Sequence, residues 1–440
     1  MKTNSNKLKL ESKNLKNRFK TLNEAQKWIE SVEKFGEKYD LVRMKNACKM
    51  LHHPEKTFKS IHIGGTNGKG STLQYIHQTL LEADVKVGTF TSPYVVDFNE
   101  RITFNGAMIS NADLLYYINK IYWVQETYRN EYQEQITFFE LVTLISFLYF
   151  KDKAVDLVLY EVGLGGTLDA TNVITPILSI IVSIGYDHMG VLGNTLESIA
   201  NNKLGIVKEG VPLISGITQD SLIPQFESHC KKVNAPLYLT NQIPLKQLKV
   251  GQVSTFSYDN TPYTITMQGQ HQINNVKVAL KALDILQHDF GYHIPKEAVQ
   301  TGLKRASMPG RFETINGVIL DGAHNINGVK AALSTLNTLY PNAHKTLIFT
   351  VMADKDYGPM LDELAQSANQ IVFTEIPYFR SAKADILYSE SKHPNKVSEP
   401  NYINALNHIN VSPNHITLIT GSLYFISVVR RHLTYNSKNL

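Results

Sequence analysis

Cysteine is nearly absent from this 440-residue chain, with Cys48 and Cys230 as the only two. Two thiols exclude a disulfide framework and a Cys-based zinc site, and they suit a reducing compartment. Long apolar runs are missing as well. The longest, Ile136 to Phe150, contains Glu140 and falls short of the roughly 18 residues that span a bilayer. No apolar run follows Lys2, so neither a signal peptide nor a membrane anchor is expected, and the reading is a cytoplasmic protein. An excess of one charge is also lacking. The formal net charge is +5, and residues 1–20 alone carry seven basic side chains against Glu11. The rest of the chain is close to neutral, so bulk charge does not point to a nucleic-acid partner. The segment 1–20 reads as a basic, flexible, solvated tail. What remains is 43% hydrophobic and 19% charged, the composition of an ordinary globular protein.

Short β-branched runs recur along the chain, each closed by a Gly, Asp or Ser turn. They are Ser60–Ile63, Val85–Phe90, Asp156–Tyr160, Ile177–Ile184 and Val211–Ser215, then Val318–Leu320, Thr346–Val351, Ile371–Thr374 and His415–Thr420. Helical periodicity lies between them, for example over Thr72–Ala83 and Asn275–Gln287. Nearly uniform apolar strands alternating with helices predict an α/β fold with a parallel sheet covered on both faces. Gln252–Tyr258 and Tyr263–Met267 alternate polar with apolar around Asp259-Asn260, which predicts a hairpin in a small antiparallel sheet. Pro309-Gly310 reads as a linker. The organisation expected is therefore the tail, a P-loop domain over 21–305 with a mostly parallel sheet and a small antiparallel subdomain, and a smaller Rossmann-like α/β domain over 306–440.

Ligands of open parallel sheets sit at the carboxyl ends of the strands. The first strand runs into Gly65-Thr66-Asn67-Gly68-Lys69-Gly70-Ser71-Thr72 and then a helix. Three glycines allow backbone N–H groups to turn toward phosphate oxygens, and the helix N-terminus adds a favourable dipole. Lys69 offers a positive charge to the outer phosphates, and Ser71 or Thr72 offers a hydroxyl to phosphate or Mg²⁺. The string departs from G-x-x-x-x-G-K-[ST], being shorter before the lysine and followed by a further glycine. Glu161, at the end of a strand and ahead of a Gly-rich loop, is a candidate Mg²⁺ ligand, since this hard cation prefers oxygen.

The string GTNGKGST resembles the phosphate loop of the Mur ligase and folylpolyglutamate synthase superfamily. Further marks of the folylpolyglutamate/dihydrofolate synthase branch follow in order between about Trp28 and Leu433. They are Thr91-Ser92-Pro93, Asn99-Glu100-Arg101-Ile102, Glu161 to Gly166, Asp169 to Val173, Asp187-His188 and Lys203. Gly269 to Asn275, Pro309 to Phe312, Asp321 to Asn325 and Gly421 to Tyr424 complete the set. Departures from the family pattern are Tyr94, Asn202 and Leu204 on either side of Lys203, Val276 after Asn275, and Ile326 after Asn325.

The resemblance implies an enzyme that binds ATP, with Thr66 to Thr72, Asn275, Arg311 and Asp321 around the nucleotide. Arg311 would meet phosphate, Asn275 the base and Asp321 the ribose. It implies two Mg²⁺ sites, with Ser92 and Glu161 at one, and His188 and a carbamylated Lys203 at the other. Asp187 would orient the His188 ring. Tyr94 and Arg101 would face the folate, near Phe138 and Phe139, although these two phenylalanines read better as core. His324 and Ser422 would face the glutamate, with His324 suggested to take the amine proton. The implied reaction joins L-glutamate to the γ-carboxyl of a folate through an acyl phosphate, with dihydropteroate as a possible second acceptor, in a monomer. Two rival readings are a cell-wall amino-acid ligase, which shares only the superfamily core, and a nucleotide-binding switch, which should have lost Glu161, His188 or Lys203.

Overall fold

The computed structural model describes residues 17–33 and 40–436. Its first sheet contains β1 (Lys59–Gly64), β2 (Val87–Phe90), β3 (Ile102–Phe104), β4 (Ala107–Met108), β5 (Leu157–Glu161), β6 (Leu178–Ile181), β7 (Leu213–Ser215) and β8 (Leu237–Leu239). The strand order is β4-β3-β2-β5-β1-β6-β7-β8. All pairings from β2 to β8 are parallel, while β3 and β4 add an antiparallel edge. Alternate side chains serve opposite faces. In β5, Val158 and Tyr160 join a core with the helices Leu22–Ser31, Asn111–Tyr132 and Phe138–Lys153. Leu157 and Leu159 join a second core with the helices Lys69–Glu82 and Gln270–His288. Burial on both faces explains why these strands read as unbroken apolar runs.

A second, three-stranded antiparallel sheet contains β9 (Lys246–Lys249), β10 (Ser254–Tyr258) and β11 (Thr261–Ile265). Asp259 and Asn260 form its hairpin turn with φ of 45° and 58°, as a two-residue turn with positive φ at both central positions requires. The helix Lys296–Arg305 then packs on the helix Lys69–Glu82, so closely that a Cβ on Gly302 would lie 2.4 Å from the Cα of Thr79.

The third sheet contains β12 (Glu313–Ile315), β13 (Val318–Asp321), β14 (His344–Phe349), β15 (Gln370–Glu375), β16 (Lys396–Asn401) and β17 (His415–Thr420), in the order β12-β13-β17-β14-β15-β16. Only β12 is antiparallel. Its two faces carry separate cores, one holding Leu347 and Phe349, the other Ile348 and Ile419. The first two sheets with their helices are called the first lobe below, and this sheet with its helices the second.

The expected tail lies mostly outside the described residues. Within 17–20, however, Phe19 is buried, tilted against Trp28 and edge-on to Tyr122, and its N–H donates to Asn119 Oδ1 at 2.8 Å. The chain is therefore anchored from Phe19 onward. Among the described residues, no helix is long and apolar enough to cross a membrane.

Candidate functional site

The carboxyl ends of β1, β2, β5 and β6 in the first lobe, and of β13 in the second, open on one cavity of about 490 Å³. Its wall includes Thr66 to Ser71, Ser92, Glu161, Asp187, His188, Lys203 and Asn275 from the first lobe, and Arg311, Asp321 and His324 from the second.

The loop after β1 is pinned to the exit of β6. Thr66 Oγ1 donates to Gly185 O at 3.1 Å and accepts from Gly185 N–H at 3.0 Å, and Asn67 N–H donates to Ser183 Oγ at 3.0 Å. The helix begins at Lys69, three residues ahead of the periodic pattern, because Gly68 takes up the turn with φ of 83°. A Cβ there would lie 2.4 Å from Asn275 Oδ1 and 2.8 Å from Val182, so only glycine fits. The Lys69 ammonium donates to Gly65 O at 3.0 Å, folded back over its own loop.

Glu161 closes β5 and is buried, and its Oε2 accepts the N–H of Ser92 at 3.2 Å. Burial pushes its pKa up, against the opposing charges of Lys69, Arg311 and Arg101. Ser92 Oγ is buried without a partner. A carboxylate beside an unengaged hydroxyl oxygen is a donor set that suits Mg²⁺.

Lys203 is 4% exposed, and burial, reinforced by the charge of Lys69, brings its pKa down to about 7. The Gly-rich loop after Glu161 packs on it, with a Cβ on Gly166 placed 2.9 Å from the Lys203 Cα. Asp187 and His188 follow β6. Asp187 Oδ1 accepts from Lys355 Nζ at 2.6 Å, and Asp187 Oδ2 accepts from Asn325 Nδ2 at 3.1 Å. Burial pushes Asp187 up, but the His324 hydrogen bond and the Lys355 charge outweigh it and hold the carboxyl well below the usual range. His188 is more exposed, at 40% of its side chain.

Asn275 lies inside the helix Gln270–His288, whose N-cap is Gly269, so helix capping does not account for it. Asn275 Nδ2 donates to Gln272 Oε1 at 3.0 Å, and Gln272 Nε2 donates to Ser71 Oγ at 3.3 Å, which ties this helix to the phosphate loop. Asp321 is buried, and burial raises its pKa against the charge of Arg311. Its two oxygens accept from the N–H groups of Phe312 and Ala323 at 2.9 and 2.8 Å. His324 Nδ1 meets Gly322 O at 2.9 Å. A carbonyl only accepts, so Nδ1 carries the proton.

Four sequence-derived candidates are not brought to this cavity. Thr72 is fully buried beneath the loop, its Oγ1 without a partner. Ser422 turns its hydroxyl to the N–H of Tyr424 at 3.2 Å, at the start of the last helix. Tyr94 lines a separate recess with Gln26, Glu30, Phe98 and Arg431. Arg101 is buried beside it, 5.0 Å from the Tyr94 ring and 5.7 Å from the Phe138 ring, with Nε unpartnered. Glu140 belongs to the framework, paired with Arg43 and closing a capping box with Thr137. Sequence reasoning placed Asn325 near phosphate or glutamate but passed over Lys355. Lys355 follows the apolar strand β14 in Met352-Ala-Asp-Lys-Asp356, where the rule of reading strand ends would have found it.

Residues 63–283 match the Mur ligase middle domain, and residues 310–423 match the Mur ligase, glutamate ligase domain. The dihydrofolate synthase/folylpolyglutamate synthase of Bacillus subtilis is 37% identical, over 94% of this chain and 100% of that protein. The crystal structure of folylpolyglutamate synthase from Thermotoga maritima is 31% identical, with a TM-score of 0.81 over 94% of this chain and 97% of that one. An FPGS–AMPPCP–folate complex is 26% identical, with a TM-score of 0.82 over 94% of this chain and 99% of that one.

Proposed function

The chain belongs to the folylpolyglutamate/dihydrofolate synthase branch of the Mur ligase family, and from this premise we propose the reaction of its cavity. The enzyme is an ATP-dependent ligase that joins L-glutamate to the γ-carboxyl of a folate, and dihydropteroate is a further acceptor. The observation that carries the reading is the convergence of Lys69, Glu161, His188, Lys203 and Arg311 on one cavity walled by both lobes. The lobe boundary is placed between 305 and 306.

A carboxylate and an ammonium do not condense in water, so the acid must first be activated. A γ-carboxylate oxygen attacks the outermost phosphorus of ATP, the bond to ADP breaks, and an acyl phosphate forms. The glutamate amine then attacks the carbonyl carbon, and phosphate leaves as the amide forms. Catalysis of this kind is positioning and charge neutralisation. Lys69 and Arg311 would neutralise phosphate charge, Asn275 would hold the base, and Asp321 the ribose. His324 would take the amine proton on Nε2, which faces Asp187 Oδ2 at 3.6 Å and would have to turn from that carboxylate to do so. Ser92 and Glu161 would hold one Mg²⁺, and His188 with carbamylated Lys203 the other. Bound there, Mg²⁺ supplies positive charge for the phosphate oxygens. Lys203 suits carbamylation because its pKa near 7 leaves much of the amine neutral, and a neutral amine is the form that adds carbon dioxide. The glutamate would lie toward His324, and the folate would extend toward the recess of Tyr94 and Arg101. The protein is read as a cytoplasmic monomer.

The test offers purified enzyme ATP, Mg²⁺ and glutamate with either tetrahydrofolate or dihydropteroate. The expected result is ADP release that depends on both glutamate and acceptor, with a product one glutamyl residue heavier by mass. ADP release without a heavier product from either acceptor overturns the reading.

A further inference from the structure

The seam between the lobes holds a largely buried polar network that joins the phosphate loop and Asp187 to the second lobe. Asn67, in the phosphate loop, and Asn325, after β13, pair through their side-chain amides. Each Nδ2 donates to the other's Oδ1 at 3.1 Å. Asn325 is 3% exposed, and its Oδ1 also accepts the N–H of Gly328 at 2.8 Å, which fixes the orientation of the amide. Its Nδ2 therefore points into the first lobe, where it also meets Asp187 Oδ2 at 3.1 Å. The other Asp187 oxygen takes the Lys355 ammonium at 2.6 Å, with both side chains close to a tenth exposed. Two first-lobe residues that line the cavity, Asn67 and Asp187, are thus gripped by two second-lobe loops, one after β13 and one after β14.

We propose that Asn325 and Lys355 are positioning residues that latch the second lobe onto the phosphate loop and Asp187, so that phosphate-loop geometry and lobe closure are set together. The proposal rests on the ligase reading, in which an acyl phosphate has to be kept from water. In a closed, poorly hydrated seam, charge-assisted and amide hydrogen bonds are strong, and a broken pair leaves its partner buried and unpaired. Opening the lobes rehydrates that partner, so loss of either latch residue favours the open form. Asn67 couples the latch to the nucleotide because it belongs to the loop that would hold the phosphates. A lobe that closes on this loop brings Arg311, Asp321 and His324 to the cavity in the same movement.

The test uses the full chain carrying Lys355→Met, Lys355→Arg or Asn325→Asp. Aspartate retains the helix-capping oxygen while losing the amide donor, so this variant should fold even where another does not. Small-angle scattering with ATP and Mg²⁺ reports closure, and amide formed per ADP released reports water exclusion. Lys355→Met and Asn325→Asp are expected to scatter as more extended particles and to release ADP in excess of amide. Their kcat should fall about tenfold or more, together with a rise in KM for ATP as Arg311 and Asp321 withdraw, whereas lost binding alone would raise KM and leave kcat unchanged. Lys355→Arg should recover most of both readouts. Wild-type scattering and one amide per ADP in both disrupting variants would overturn the latch. A wild-type enzyme that forms no amide would instead overturn the ligase reading, and the scattering comparison would still decide the latch.

Discussion

The backbone N–H of Ser92 donates to Oε2 of Glu161 at 3.2 Å, which joins the turn after β2 to the end of β5 at the floor of the cavity. This bond aims the carboxylate while leaving Ser92 Oγ unengaged. Ser92→Ala keeps the aiming bond, which is backbone, and removes one oxygen. The Mg²⁺ concentration for half-maximal ADP release is expected to rise by about 10–100-fold, and Glu161→Gln should abolish Mg²⁺ activation. An unchanged Mg²⁺ titration in Ser92→Ala would remove Ser92 from the metal site.

Lys203 sets a pH and bicarbonate dependence. Carbamylation needs the neutral amine, and with a pKa near 7 that form grows as pH rises through neutrality. Activity should therefore climb from pH 6 to 8 and respond to added bicarbonate. Lys203→Ala should be inactive and regain part of its activity with short carboxylates. Full activity of that variant without any additive would refute the modification.

Gly68 tests the fit of the phosphate loop. An alanine there faces both the left-handed backbone, at a cost of about 1–2 kcal/mol, and the Asn275 Oδ1 contact. Gly68→Ala is expected to fold, with a thermal midpoint lowered by a few degrees, and to raise KM for ATP about tenfold or more. Nucleotide titration by fluorescence or calorimetry checks it, and wild-type affinity would contradict the tight packing.

His77 predicts an acid sensitivity of the fold. It is 3% exposed on the helix Lys69–Glu82, its Nε2 has no partner, and burial brings its pKa down to about 4. The unfolded histidine titrates near about 6.5, so between these values the unfolded chain binds a proton that the folded one does not. The associated stability is complete above about pH 6.5 and drains away as pH falls toward 4. His77→Met keeps the volume and removes the titration. Between pH 7 and 5 the wild type should lose about 2 kcal/mol more than this variant in urea unfolding. Equal losses would show that His77 does not carry the effect.

Nine strands were legible as apolar runs because a strand buried on both faces has no polar side to interrupt it. The edge and near-edge strands β3, β4, β8, β9, β12 and β16 were not, since such strands carry mixed residues, as in Lys246–Lys249 and Lys396–Asn401. Thr72 and Ser422 show the corresponding weakness in reading sites. A hydroxyl residue next to a glycine turn can serve a ligand, a helix cap or a buried framework, and the sequence does not say which way it points.

By itself, the order of residues determined the alternation of strand and helix, the phosphate loop and the family, because each rests on neighbours a few positions apart and on periodicity. Only the tertiary structure decided that Arg311, Asp321 and His324 meet Lys69 and Glu161 across one cavity, and that Asn325 and Lys355 hold Asn67 and Asp187. Those partners lie more than a hundred residues apart in the chain, and packing of two lobes with separate cores, not local propensity, brings them within hydrogen-bonding reach.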